Sequence, residues 1–160
     1  MRQDRFLLGI LAGIGVLVVL SVALFFLRRS TLEYGPETSP DGVVRNYIVA
    51  IKKGDYDRAF AYLIMPDPKT DKLSFRQGIS PQTAEISSTG IEVGQVSVDG
   101  AHAIVTISLI RGNGGLFGDV YREQQTAELT QKDGAWKITS MPYPFWNYSW
   151  VTPVPAKSAP

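Results

Sequence analysis

Residues 6–27, FLLGILAGIGVLVVLSVALFFL, carry no charge and no proline. As an α-helix this run rises roughly 33 Å, against a hydrocarbon core of about 30 Å. It reads as a retained membrane anchor spanning 6–27 and contacting lipid directly, with residues 1–29 comprising a cytoplasmic stub and the span. A cleaved signal peptide has a shorter apolar core, about 7 to 15 residues, followed by a small-x-small cleavage site. Here the run ends in Phe25, Phe26 and Leu27, then Arg28 and Arg29. Gly9, Ala12, Gly13 and Gly15 would let two anchors pack closely, although a simple flexible anchor is the plainer reading. Arg2 and Arg5 before the span and Arg28 and Arg29 after it give no clear orientation. A short N-terminus before an uncleaved span most often stays inside. The expected arrangement is therefore single-pass, with the C-terminal part extracytoplasmic.

The remaining length suits one domain. The chain has no cysteine, which removes disulfides, thiol catalysis and thiolate metal sites. Its formal net charge is +1 and no long basic run appears, so nucleic acid is not an expected partner.

Residues 30–39, STLEYGPETS, read as a linker. Ser39 followed by Pro40 is a helix start, a hydroxyl cap before a proline at the first helical position. Val43, Val44, Tyr47, Ile48 and Ile51 then share one helical face. In KKGDYDRAF, residues 52–60, Gly54 closes that helix in the left-handed conformation and Asp55 caps the next. Tyr56, Ala59, Phe60 and Leu63 continue at helical spacing. Residues 64–84 are less regular, with a break at Met65-Pro66-Asp67-Pro68 and one short helical turn predicted from Leu73 to Gly78.

From residue 85 the pattern becomes that of strands. Ile91 to Val98 ends at Asp99-Gly100, a tight-hairpin signal, and its apolar parity shifts across Gly94, which predicts a bulge. Ala103, Val105, Ile107 and Leu109 alternate on the next strand. After RGNGGLFGD comes a strand from Val120 to Thr130, with Tyr121, Ala127 and Leu129 on one face and Arg122, Gln124, Thr126 and Glu128 on the other. Lys132-Asp133-Gly134 turns into a last strand, Ala135 to Met141. Helices grouped before an antiparallel meander indicate α+β. The domain is expected over 40–150, with a flexible proline-rich tail at 151–160.

On SPDGVVRNYIVAIKKGDYDRAFAYL and the strand order ending in DGAWKI, residues 39–141 resemble the nuclear-transport-factor-2-like superfamily. The resemblance implies a cone of two or three helices packed on a curved antiparallel sheet, with a pocket at the wide end. Some members bind small molecules or transfer protons there, and many are binding or assembly modules. Anchored, exported versions include assembly domains of type IV secretion machinery and the accessory domain preceding some cell-wall transpeptidases, which are analogies of architecture.

The candidate site residues follow. His102 is the only histidine and follows a turn, so it reads as a solvated strand end. One imidazole builds no histidine metal cluster, and no metal or cofactor is expected. Enzymes of this superfamily place an acid in the cone, and Glu92, Glu123 and Glu128 are the strand candidates. The bulge at Gly94 leaves their facing open. Tyr47, Tyr62 and Tyr121, with His102, are pocket candidates. RGNGGLFGD lacks the Gly-Lys-Ser/Thr ending of a phosphate cradle, and Leu116 and Phe117 at its tip face either the core or a partner. PYPFWNYSW, residues 142–150, is read as an edge strand or flap on the sheet, or else as a partner surface built from Phe145, Trp146, Tyr148 and Trp150. An interfacial membrane role for the same rings stays open. Asn147-Tyr148-Ser149 matches a glycosylation sequon.

These readings converge on a non-enzymatic binding or assembly module of a bacterial envelope, tethered to a membrane, with an envelope protein as partner. The alternative is a small-molecule-binding or catalytic cone using a buried carboxylate and tyrosines. A homodimer through the open sheet face is a third arrangement.

Overall fold

The computed structural model describes residues 3–28, 32–65, 67, 69–112 and 119–150, with side chains of the first helix described at 9–24. Two compact units divide the chain, Met1–Glu33 and Tyr34–Pro160. The tail 151–160 and the tip residues Leu116 and Phe117 lie outside the described residues.

The first unit holds one 26-residue helix, α1 (Gln3–Arg28). Its described side chains are exposed, Leu11, Leu17 and Val19 among the most so. Counted over the described residues, no helix is long and apolar enough to cross a membrane. The expected span of 6–27 needs residues at both ends whose side chains fall outside that count.

The second unit opens with α2 (Pro40–Lys53), starting where proline and a hydroxyl cap require: Ser39 Oγ accepts from the Gly42 N–H at 3.4 Å. Gly54, at φ +73°, ends it, and the Asp55 N–H reaches back to the Ala50 carbonyl at 2.9 Å. Asp55 then caps α3 (Tyr56–Ala61) by accepting from the Arg58 N–H at 3.2 Å. The helices are thus separate, joined at a glycine corner. Asp71 caps α4 (Lys72–Ile79), a 3-10 turn covers Ser80–Gln82, and α5 (Thr83–Ser88) follows. α2 buries Val49 and Ala50 in addition to its expected face, so it runs through the unit as a central helix.

Strands β1 (Gly90–Asp99), β2 (His102–Gly112), β3 (Val120–Lys132) and β4 (Ala135–Ser140) form one antiparallel sheet in sequence order. The bulge falls between Val93 and Val96, as the parity shift predicts. A Cβ on Gly94 would meet the Thr106 carbonyl at 3.3 Å, so the pinch there accepts little beyond hydrogen. Asp133 (φ +52°) and Gly134 (φ +78°) make the two-residue turn into β4. The outer edge of β4 is partly closed by a parallel bridge to Leu63: Ile138 N–H donates to the Tyr62 carbonyl at 2.8 Å, and Ile64 N–H to the Ile138 carbonyl at 2.9 Å. The second unit is α+β, four α-helices with a four-stranded sheet.

Two expectations are corrected. Residues 34–39 are not spare linker but a strap fastened to the helices. Tyr34 lies against Arg58, whose guanidinium is 3.6 Å from its ring centroid, and its hydroxyl donates to Asp55 at 3.1 Å. Fully buried Asn46 holds the Gly35 backbone at both ends, accepting from its N–H at 2.7 Å and donating to its carbonyl at 2.8 Å. The second concerns PYPFWNYSW, which is the expected flap rather than an edge strand, and covers the unit's own core with the rings read as a partner surface. It turns after Pro142, contains a cis Tyr143–Pro144 peptide and ends in a 3-10 turn, Tyr148–Trp150. Phe145, Trp146 and Trp150 are buried. Pro142 and Pro144 cannot donate to a strand ladder. The spacing of Trp146 and Trp150 also fits one side of a helical turn as well as it fits a strand.

Candidate functional site

The space between helices and sheet is filled by the protein's own rings. Trp146, Tyr47, Phe75 and Phe145 are its largest fully buried side chains. Phe75 packs on Trp150 with centroids 5.2 Å apart, Trp150 meets Trp146 edge-on at 5.2 Å, and Phe60 meets Phe75 edge-on at 5.6 Å. The Tyr47 hydroxyl donates to the Phe145 carbonyl at 2.7 Å, and burial pushes its pKa up, so it is a neutral structural donor. The Asn147 amide nitrogen donates to the Gly78 carbonyl at 3.1 Å, so the nitrogen a glycan would need is engaged in packing.

Register settles which acid faces inward. Cross-strand partners share a face, and Glu123 pairs with buried Leu109, Gln125 with buried Ile107. Glu123 therefore faces the helices. Glu128 pairs with exposed Ile104 and belongs to the outer face. Glu92 pairs with Ser108 and bridges Arg122 at 3.1 Å. The inward Glu123 is not isolated. Arg111 sits between Glu123 at 3.4 Å and Glu85 at 3.5 Å, Gln125 donates to Glu123, and the Tyr143 hydroxyl donates to Glu85. Each side chain of the ionic pairs is about one-third exposed. These carboxylates, paired with the guanidinium, fasten α5 and the C-terminal segment to the sheet.

His102 is exposed at the start of β2, and Tyr121 is 63% exposed near the start of β3. Neither joins Tyr47 or Tyr62 in a pocket. Of the aromatic segment, Tyr143 and Tyr148 are the rings left exposed, at 46% and 57%.

The polar constellation that does converge is one the sequence reading mostly missed. Tyr62, 6% exposed, donates its hydroxyl to Glu37 Oε1 at 2.6 Å. Arg58 Nη2 donates to the same oxygen at 2.9 Å, and Arg58 Nε donates to the Tyr62 hydroxyl at 3.0 Å. Lys137 Nζ is fixed on the Ala61 carbonyl at 2.7 Å. The Tyr62 and then the Arg58 hydrogen bonds, with Lys137 adding charge, hold the Glu37 carboxyl below the usual carboxylate range. Beside them lies a cavity of about 180 Å³ lined by Val43, Ala61, Ala135 and Trp136 as well as these groups. A wider groove of about 630 Å³, with Phe60, Leu63 and Met65 as its apolar lining and Lys132 and Lys137 as its cations, adjoins it along β4. Tyr62 was legible as a candidate; Glu37 was hidden in what reads as linker, and Arg58 in an exposed helix face.

No family model and no curated protein matches the sequence. Solved structures to which the chain is similar include a SEC-C motif containing protein from Rhodopseudomonas palustris, with 16% identity over 66% of this chain and 79% of that one, at a TM-score of 0.46. An NTF2-like protein from Campylobacter jejuni shows 16% identity over 64% of this chain and 99% of that one, at 0.46. A de novo designed NTF2 fold protein shows 21% identity over 74% of this chain and 94% of that one, also at 0.46. These are likenesses of fold and carry nothing about activity.

Proposed function

We propose that this chain is a binding or assembly module that works through its surface without catalysis, held at a membrane by its N-terminal helix. The observation that carries the reading is the filled interior: Trp146, Phe145, Phe75, Trp150 and Tyr47 occupy the space in which a ligand-binding cone would keep its cavity. The membrane part rests on sequence, the uncharged run 6–27, together with a helical backbone that continues from Gln3 to Arg28. Placing the folded unit outside the cytoplasm of a bacterial cell, against an envelope protein, belongs to the same proposal. Tethering raises the effective concentration of the module for partners near the membrane, which is the physical advantage of such a design.

The alternative, a small-molecule-binding or catalytic cone, draws on Glu123 facing the helices. Its weakness is that Arg111 and Gln125 already engage that carboxylate.

Titration with indole separates the two. The wild-type chain is expected to show no saturable shift of its methyl resonances, whereas Trp146→Ala, which opens a ring-sized cavity, binds indole and is stabilised by it. Saturable binding of indole within the wild-type interior would contradict the filled-core reading.

A further inference from the structure

We propose that Arg58, Tyr62 and Lys137 form a carboxylate-recognition site that the chain fills with its own Glu37, and that an acidic side chain of a partner polypeptide takes Glu37's place when the Glu37 side chain swings out, the strap staying fastened at Tyr34 and Gly35. The inference rests on the module reading for its partner, but the site itself stands on geometry. Two donors converge on one oxygen, Tyr62 at 2.6 Å and Arg58 at 2.9 Å. The Arg58 Nε bond to the Tyr62 hydroxyl at 3.0 Å turns that hydroxyl's proton toward the carboxylate. Tyr34, stacked on Arg58 at 3.6 Å, and the Ala61 carbonyl, holding Lys137 at 2.7 Å, keep both cations in place. Such preorganised donors lose little freedom on binding an anion.

The occupant's chemistry follows from charge and shape. Two cations face a single strap acid here, and Lys132 adds a third cation farther along the groove, where Asp133 is the one acid. The cavity walls beside the carboxylate are apolar, chiefly Trp136, Val43 and Ala61. Glu37 is about half exposed, so an incoming chain reaches it without unfolding the core. Because Glu37 is attached to the site, it competes at an effective concentration in the millimolar range or above. A free carboxylate therefore does not displace it; a polypeptide that adds apolar contacts on Trp136 does.

The test uses the purified full chain as wild type, Glu37→Ala and the double variant Glu37→Ala/Arg58→Ala. Each is titrated with sodium propionate against sodium chloride at equal ionic strength, and with a blocked tripeptide carrying glutamate between two leucines. Thermal midpoint and Trp136 side-chain resonances are followed. Propionate is expected to stabilise E37A beyond chloride and to bind wild type at least about tenfold more weakly. The response should vanish in the double variant. The tripeptide should bind E37A at least about tenfold more tightly than propionate, through the apolar wall. No response of E37A beyond chloride, or an equal response in the double variant, overturns the site. Propionate and tripeptide binding alike overturns the polypeptide partner. If E37A does not fold, Glu37→Ser, whose short side chain leaves the Tyr62 and Arg58 donors uncovered, must respond to propionate, and silence there also overturns the proposal. None of these outcomes depends on membrane attachment or on the filled interior, so the site and the module reading fail separately.

Discussion

At the scale of single residues, the strap gives the sharpest expectations. Asn46 is a fully buried amide whose two hydrogen bonds both serve Gly35. Asn46→Ala leaves the part-buried N–H and carbonyl of Gly35 without these partners, and should cost about 1–3 kcal/mol in denaturant unfolding. Gly42 is constrained from the same side: a Cβ there would lie 2.2 Å from the Pro36 carbonyl oxygen, a backbone atom that cannot swing away. Gly42→Ala should therefore lift the strap and destabilise by about 1–3 kcal/mol, although alanine is the better helix former. Glu37 adds a pH signature. Its folded pKa lies below the unfolded value of about 4.3, so its contribution is present above that pH and is lost as pH falls through the folded value. The difference in stability between wild type and Glu37→Gln should be constant near neutrality and shrink on acidification below about pH 4.5. Chemical denaturation across that range checks it.

Among elements, the aromatic C-terminal segment changes meaning most between sequence and structure. Trp150 sits over Gly78, where an added Cβ would be 2.9 Å from the indole, and packs on Phe75 and Trp146. Trp150→Ala should cost about 3–5 kcal/mol, visible in unfolding before any binding assay is attempted. Five rings in nine residues signal that something large is covered, but not whether the cover is the chain's own core or a partner. Periodicity alone could not decide, because Trp146 and Trp150 suit two secondary structures. By contrast, the corner at Gly54-Asp55 was fully legible. A left-handed glycine and a capping aspartate each have a local physical cause, and neither needs tertiary context. The bulge at Gly94 was legible for the same kind of reason, a parity shift within one strand. α5 was not, since six residues with one buried side chain, Ile86, are too few to show a period. The strap was missed because its fastening is long-range. Glu37 meets Tyr62 twenty-five residues away, and nothing near Glu37 announces it.

For the molecule as a whole, the α+β meander and its strand order follow from patterns readable in the chain, whereas the filled interior and the inward facing of Glu123 required the register. On the outer sheet face Arg122 bridges Glu92 across β2, and Ile104 and Val120 are exposed. The second unit has grooves along β4 and an interior filled by its own rings, and the N-terminal helix carries the uncharged run 6–27. The most direct measurement is the partition of the full chain between membrane and soluble fractions after an alkaline wash, beside a variant carrying Val16→Arg and Val19→Arg. The account predicts that the wild type stays with the membrane and the variant is released, because each arginine at a helix centre costs about 2.5–3.5 kcal/mol of insertion. Wild type released as completely as the variant would contradict it.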